Sequence, residues 1–345
     1  MRTVAVTEPN QVRVIDIAPP TPGPYQALVR TEAACLCNAT DSKLVAGQFP
    51  GIDTYPLILG HESAGIVESV GDKVRAFKVG ERAIGGLVFS FKEPQYAAGW
   101  GGFCEYTLIN DHDAMVADGV ADEKHGWFEC YEIQRPVPAD IPLAEAVMMC
   151  TWREVYAGFG DFNLRAGHDI LIFGAGPVGL SFAKFGKLLG LNSIGVVDPH
   201  MNKHAKALKM GASEVFTPDE VASASFIAKN GRRYDAVIDA VGSGAIINAA
   251  LGLIKMAGSI CVYGVIGAET ISINKSTGPY NFNLYMHQWP TRFRESAAME
   301  PLCEWIRDGK LRAAEFITHE FKLEEINTAL NAVKSGKVIK ALLTY

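Results

Sequence analysis

The sequence predicts an α/β protein made of an all-β, barrel-like unit and a parallel, doubly wound sheet. Three observations carry this. From Met1 to about Gly80, short apolar runs are separated by turn residues, the spacing of many short strands. From Asp169 onward, strand-like and helix-like runs alternate, as in βαβ units around a parallel sheet. That second region opens with the buried-looking run Asp169 to Phe173, followed at once by Gly174-Ala175-Gly176-Pro177-Val178-Gly179. Such a glycine turn joins a strand to a helix whose free N–H groups suit a pyrophosphate.

The elements follow in order. Met1 to Val6 carries no long apolar leader-like stretch and reads as a first strand. Val12 to Ile17 alternates, and Gln26 to Thr31, Gly65 to Val70 and Glu81 to Ile84 continue the pattern. Turns separate them, among them Pro19 to Pro24 and Gly71-Asp72. Asn110 to Glu132 is polar and charged yet holds Trp127, Phe128 and Tyr131; it reads as a folded insertion over a cleft or oligomer contact, or as a solvated loop. After the glycine turn come an apolar helix, Val178 to Leu189, and a strand, Ser193 to Val197. A basic helix, Asn202 to Met210, is closed by Gly211. Val215-Phe216, Tyr234 to Asp239 and Gly258 to Tyr263 are further strands. Helices near Met299 to Asp308 and Leu323 to Ser335 precede a last strand, Val338 to Thr344.

Bulk properties narrow the classes. The chain has 345 residues, 48% of them apolar, enough for a sizeable core and about two domains. A net charge of -6 argues against a nucleic-acid footprint or a polybasic membrane surface. The most apolar stretch, Ile170 to Ala183, is broken by three glycines and a proline, so no bilayer span is expected. Seven cysteines without paired short spacing point to a reducing compartment, the cytoplasm, rather than a disulfide framework.

Two constellations carry chemistry. Cys37, His61 in Gly60-His61-Glu62, and Cys150 form a thiolate, imidazole, thiolate set, which suits a catalytic zinc with one open position. In the glycine turn, Gly174 permits the tight bend, Gly176 the approach of a pyrophosphate, and Gly179 close helix–strand packing. Asp198 ends the next strand, where its carboxylate accepts adenosine ribose hydroxyls and repels a 2′-phosphate, favouring NAD over NADP. Capping of the helix from Asn202 onward is a plain structural role, compatible with that one. Metal and dinucleotide together specify a hydride-transferring enzyme.

These residues resemble the medium-chain dehydrogenase/reductase family, specifically its zinc-dependent alcohol and polyol dehydrogenases. The resemblance runs through Cys37 with Thr40-Asp41, Gly60 to Gly65, Gly71-Asp72, Val79 to Arg82, Gly101 to Tyr106, Gly174 to Gly179, Gly211-Ala212 and Lys337 to Leu343. It implies a GroES-like β-barrel catalytic domain from residues 1–150 and 288–345 around a Rossmann NAD-binding domain, residues 151–287. It implies Cys37 and His61 as the first two zinc ligands, Cys150 or Glu154 as the third, and Glu62 as a carboxylate behind them that can approach the metal. The relatives' hydroxyl position is Ala39 here, so Thr40, one residue later, is the candidate proton relay. Lys203 stands where relatives place a basic residue near the adenosine. Many relatives hold a structural zinc with four cysteines near residues 90 to 115; Phe89 to Asp113 offers only Cys104, so one zinc per chain is expected. A homodimer or homotetramer is implied, with Gly258 to Gly267 supplying an edge strand.

The substrate is read from Trp100, Trp152, Arg153, Glu154 and the segment Tyr285 to Trp289. Charged groups near a cleft favour a small polar alcohol: a sugar alcohol, sugar, cyclitol or aminocyclitol. A structural ion pair between Arg153 and Glu154 is the competing reading. Cys35, Cys104, Cys261 and Cys303 read as small core residues. His112, His125, His200, His204, His287 and His319 read as surface or hydrogen-bonding groups. Two other functions compete: a zinc-free enone or quinone reductase of the same superfamily, and a dinucleotide-binding protein without catalysis. Intact ligands at Cys37 and His61 argue against both.

Overall fold

A computed structural model describes residues 1–345. Contacts divide the chain into two units, Met1–Arg153 with Glu295–Tyr345, and Glu154–Arg294.

The first unit is mostly β. Strands Arg2–Glu8, Gln11–Asp16, Leu57–Ile58 and Ala97–Ala98 form one sheet. A larger sheet centres on Gln26–Cys35, which pairs antiparallel with Ser63–Val70, with Tyr106–Asn110 and with the C-terminal strand Lys340–Thr344. Val4, Val6, Leu36, Leu57, Phe103, Ile326 and Leu343 meet in its main core. The barrel-like expectation holds, and the C-terminal residues join it by pairing Leu343 opposite Ala34. The Asn110 to Glu132 segment is folded: a helix, His112–Ala117, and two short 3-10 turns bury Met115, Cys130 and Tyr131 with Leu87. Trp127 donates its indole N–H to His112 at 3.0 Å.

The second unit is a six-stranded, all-parallel sheet. Its order is Glu214–Phe216, Ser193–Val197, Asp169–Phe173, Tyr234–Asp239, Ile254–Val262, Asn283–Met286. This is the doubly wound order, whose direction reverses beside Asp169–Phe173, and ligands bind at the carboxyl ends of strands at such a reversal. Leu171, Phe173, Val237, Ile247, Leu251, Ile260 and Val262 form the core on one face. The expected edge strand is displaced: Ile254–Val262 is covered on both sides, and Asn283–Met286 is the edge. The sequence reading missed that edge strand because four residues, two exposed and two half-exposed, carry no apolar alternation.

Candidate metal centre and dinucleotide site

The metal centre is set by strand register. Ala34 stands opposite Ser63, and the Cys35 N–H donates to the Glu62 carbonyl at 2.9 Å. Cys37, just past one strand, therefore lies beside His61 and Glu62, just before the other. The ligand atoms of Cys37, His61 and Glu62 all fall within 4.8 Å of one another. A thiolate, an imidazole and a carboxylate are donors that zinc takes.

His61 is aimed from behind. Its Nδ1 faces Asp41 Oδ1 at 3.6 Å, and its Nε2 lies 3.9 Å from Glu62 Oε1. Nδ1 and Oδ1 are both buried and neither makes a hydrogen bond. A cation held at Nε2 leaves the ring proton on Nδ1, directed at that carboxylate, so this orphaned pair fits a metal. Asp41 is anchored by the Cys37 N–H at 2.8 Å, and burial pushes its carboxyl up to about 7 against the pull of His61. The Trp100 ring stands 5.7 Å from the His61 ring and edge-on to Phe49 at 5.5 Å. Its backbone φ of 68° is in the left-handed region, unusual for a tryptophan and common where a site dictates geometry.

Glu62 is held by two groups the sequence reading did not assign. Lys340 reaches its two oxygens at 2.7 and 2.8 Å, and Thr151 donates to it at 3.0 Å. Burial alone would lower the Lys340 ammonium; Glu62, with Cys35 and Cys37, outweighs burial and raises it. The strand pairing that sets Leu342 opposite Cys35 brings Lys340 here. Only the likeness of Lys337 to Leu343 to family members marked that stretch in the sequence.

The remaining candidates separate. Cys150 is buried with its thiol facing the Ser63 carbonyl at 3.8 Å, outside the clustered trio. Thr40 is buried at the start of the helix Thr40–Ala46. Trp152 is fully buried, edge-on to Phe316, which is a packing position rather than a substrate wall. The pair between Arg153 and Glu154 is replaced: Arg153 faces Glu295 at 3.4 Å and donates to the Ile133 carbonyl, while Glu154 accepts from Tyr263 at 2.9 Å. Successive helical residues point about 100° apart, which sends them to different neighbours. Cys104 is buried beside the Thr3 hydroxyl at 3.1 Å. In the segment Tyr285 to Trp289, Tyr285 and His287 pack on Phe162, and the Trp289 ring lies under the Arg292 guanidinium.

In the second unit, the turn from Asp169–Phe173 enters the helix Pro177–Leu188. Gly174 has φ 106°, a conformation L side chains rarely adopt. A Cβ on Gly179 would sit 1.8 Å from the Gly174 carbonyl oxygen, so only glycine lets helix and turn close. A Cβ on Gly176 would meet nothing within 4 Å, and no side chain caps the helix, which has Pro177 in its first turn. Open space in front of uncapped N–H groups and a partial positive charge fits a pyrophosphate. The Asp198 carboxylate accepts from the Ala175 N–H at 2.8 Å and the His200 N–H at 2.8 Å, so it ties the strand end to the turn instead of capping the helix. Lys203 lies 3.8 Å from it.

Comparison with known proteins agrees with this arrangement. Residues 23–118 match the alcohol dehydrogenase GroES-like domain family, and residues 177–299 match the zinc-binding dehydrogenase family. An alcohol dehydrogenase of Cupriavidus necator is 26% identical over 372 aligned residues, 95% of this chain and 94% of that protein. A sorbitol dehydrogenase of Bombyx mori is 27% identical over 360, covering 97% and 95%. Among solved structures, the alcohol dehydrogenase TADH from Thermus sp. ATN1 superposes with a TM-score of 0.78 at 21% identity, covering 100% of this chain and 99% of that one; this likeness is one of fold.

Proposed function

We propose that this chain, which belongs to the zinc-type medium-chain dehydrogenase/reductase family, is a zinc-dependent, NAD-linked dehydrogenase that oxidises a secondary alcohol of a polyol, sugar, cyclitol or aminocyclitol to the ketone, reversibly. Its class, an alcohol-dehydrogenase-like oxidoreductase, comes with the family. The observation that supports the zinc-dependent part of this reading is the clustering of Cys37, His61 and Glu62 on one strand register.

Cys37 and His61 hold the ion, with Glu62 completing the clustered set. When bound, zinc supplies Lewis-acid polarisation of an alcohol oxygen, and the nicotinamide supplies the hydride acceptor. Asp41 keeps the His61 ring oriented and its Nδ1 protonated. Lys340 and Thr151 fix the Glu62 carboxylate. Trp100 walls the His61 side, where an aromatic face excludes water and packs against the C–H face of a polyhydroxylated substrate. Thr40 is the hydroxyl that passes the substrate proton outward. Gly174 to Gly179 receive the pyrophosphate, and Asp198, with Lys203 beside it, favours an unphosphorylated ribose.

The test is a spectrophotometric screen of NAD reduction across sugar alcohols, sugars, cyclitols and simple alcohols, with metal analysis of the same sample. Turnover on a polyhydroxylated substrate, one zinc per chain and loss of turnover on chelation are expected. Undiminished turnover after complete zinc removal would sink the reading.

A further inference from the structure

The Asp198 carboxylate is already crowded. Its Oδ2 accepts from the Ala175 N–H at 2.8 Å and has the Lys203 ammonium at 3.8 Å. Its Oδ1 takes both the His200 N–H at 2.8 Å and the His200 ring Nδ1 at 3.0 Å. A carboxylate offers about four acceptor positions. Two are taken by backbone N–H groups that cannot leave without unmaking the turn. A third, on Oδ1, is taken by the His200 ring; the Lys203 ammonium stands 3.8 Å from Oδ2, beyond hydrogen-bond reach. Asp198 is buried, whereas the His200 side chain is 50% exposed. The His204 ring, by contrast, is bonded to the Asp198 main-chain carbonyl at 2.8 Å and leaves the carboxylate alone.

We propose that His200 is a specificity-determining residue of the dinucleotide site: its ring competes with the adenosine ribose for the acceptor on Asp198. The inference rests on the reading of Asp198 as the ribose acceptor. A ribose hydroxyl that approaches Oδ1 must displace the His200 ring, so His200 weakens the unphosphorylated dinucleotide. A 2′-phosphate makes no such demand on Asp198. For it, the imidazole N–H on the carboxylate offsets negative charge that would otherwise repel the phosphate. His200 thus narrows the gap between NADH and NADPH that Asp198 alone would impose.

The experiment is calorimetric titration of the full-length protein with NADH and with NADPH, for wild type, His200→Ala, His200→Asn and Asp198→Ala. Asparagine places an amide N–H close to where the histidine Nδ1–H lies, so it retains the competing donor. His200→Ala is expected to bind NADH about three- to tenfold more tightly, the net worth of one ordinary, partly solvated hydrogen bond. It is expected to bind NADPH no better, and His200→Asn is expected to stay near wild type. A purely structural role for His200 would move both dinucleotides together and would not be rescued by asparagine. Unchanged or weaker NADH binding by His200→Ala overturns the proposal. If Asp198→Ala binds NADH as well as wild type does, Asp198 is not the ribose acceptor; if wild type binds neither dinucleotide, the cofactor reading falls too.

Discussion

Lys340 and Glu62 form a buried ion pair at 2.7 Å although 278 positions separate them in the chain. Both are nearly inaccessible, so each charge depends on the other. Replacing Lys340 by methionine strands the carboxylate and is expected to cost roughly 3–5 kcal/mol of stability. The double variant Lys340→Met with Glu62→Gln removes the stranded charge and is expected to recover part of that loss. Chemical denaturation of wild type and the variants measures it; equal destabilisation by the single and double changes would refute the pairing as the cause.

Metal and dinucleotide are assigned to different units of the chain, and this separates two measurements. Cys37→Ser and His61→Ala are each expected to lose zinc and to lower turnover at least about a thousandfold, since the polarising ion is gone. NADH binding, which we propose rests on Gly174 to Gly179 and Asp198, is expected to persist. Metal content by emission spectroscopy, beside NADH titration, decides the matter. Cys150→Ser, measured alongside, shows whether that thiol joins the set: if it does, zinc affinity falls.

Trp100 flanks His61 without belonging to the clustered trio. Trp100→Ala is expected to raise KM for the best polyol about tenfold, leaving zinc content and NADH affinity unchanged. Loss of zinc in this variant would show that the ring supports the metal rather than the substrate.

Gly179→Ala drives a methyl group into the Gly174 carbonyl. The turn must then open, at a cost of roughly 1–3 kcal/mol, and NADH affinity is expected to collapse while zinc content stays intact. Titration with NADH, alongside thermal unfolding, reads both effects.

The Asp235 carboxyl would be raised by burial, but donation from Lys255 and from the Asp169 N–H outweighs that and holds it below its ordinary value of 3.8. A carboxylate with a depressed folded-state pKa stabilises the protein above its unfolded pKa and loses that contribution as pH falls through the folded value. Stability is therefore expected to drop in the acid range below pH 3.8, and Asp235→Asn to flatten that part of the curve. Denaturation midpoints measured from pH 2 to 6 test this.

Legibility in the sequence followed the range of the interactions. Asp169–Phe173 and Tyr234–Asp239 were readable to the residue because each is a short buried strand bounded by turn residues. Cys37 and His61 were legible as a pair because they flank two paired strands, Gln26–Cys35 and Ser63–Val70, within one short stretch of chain. The helix Leu143–Asp161 was not: Ala146, Val147, Met148, Met149 and Cys150 are buried in succession, which erases the 3.6-residue rhythm. Neither the Lys340 contact with Glu62 nor the His200 contact with Asp198 had a local signature. The first depends on a strand pairing across most of the chain, and the second on a tight bend that folds His200 back onto Asp198.

During synthesis, Lys340 leaves the ribosome after the whole of Glu154–Arg294 has emerged. Until then the N-terminal sheet lacks both its last strand and the cation that neutralises Glu62. The N-terminal sheet can therefore complete its strand pairing only after the parallel-sheet unit has been synthesised. A message truncated before codon 340 would yield a chain with an unneutralised acid in its interior, a ready substrate for quality-control proteolysis.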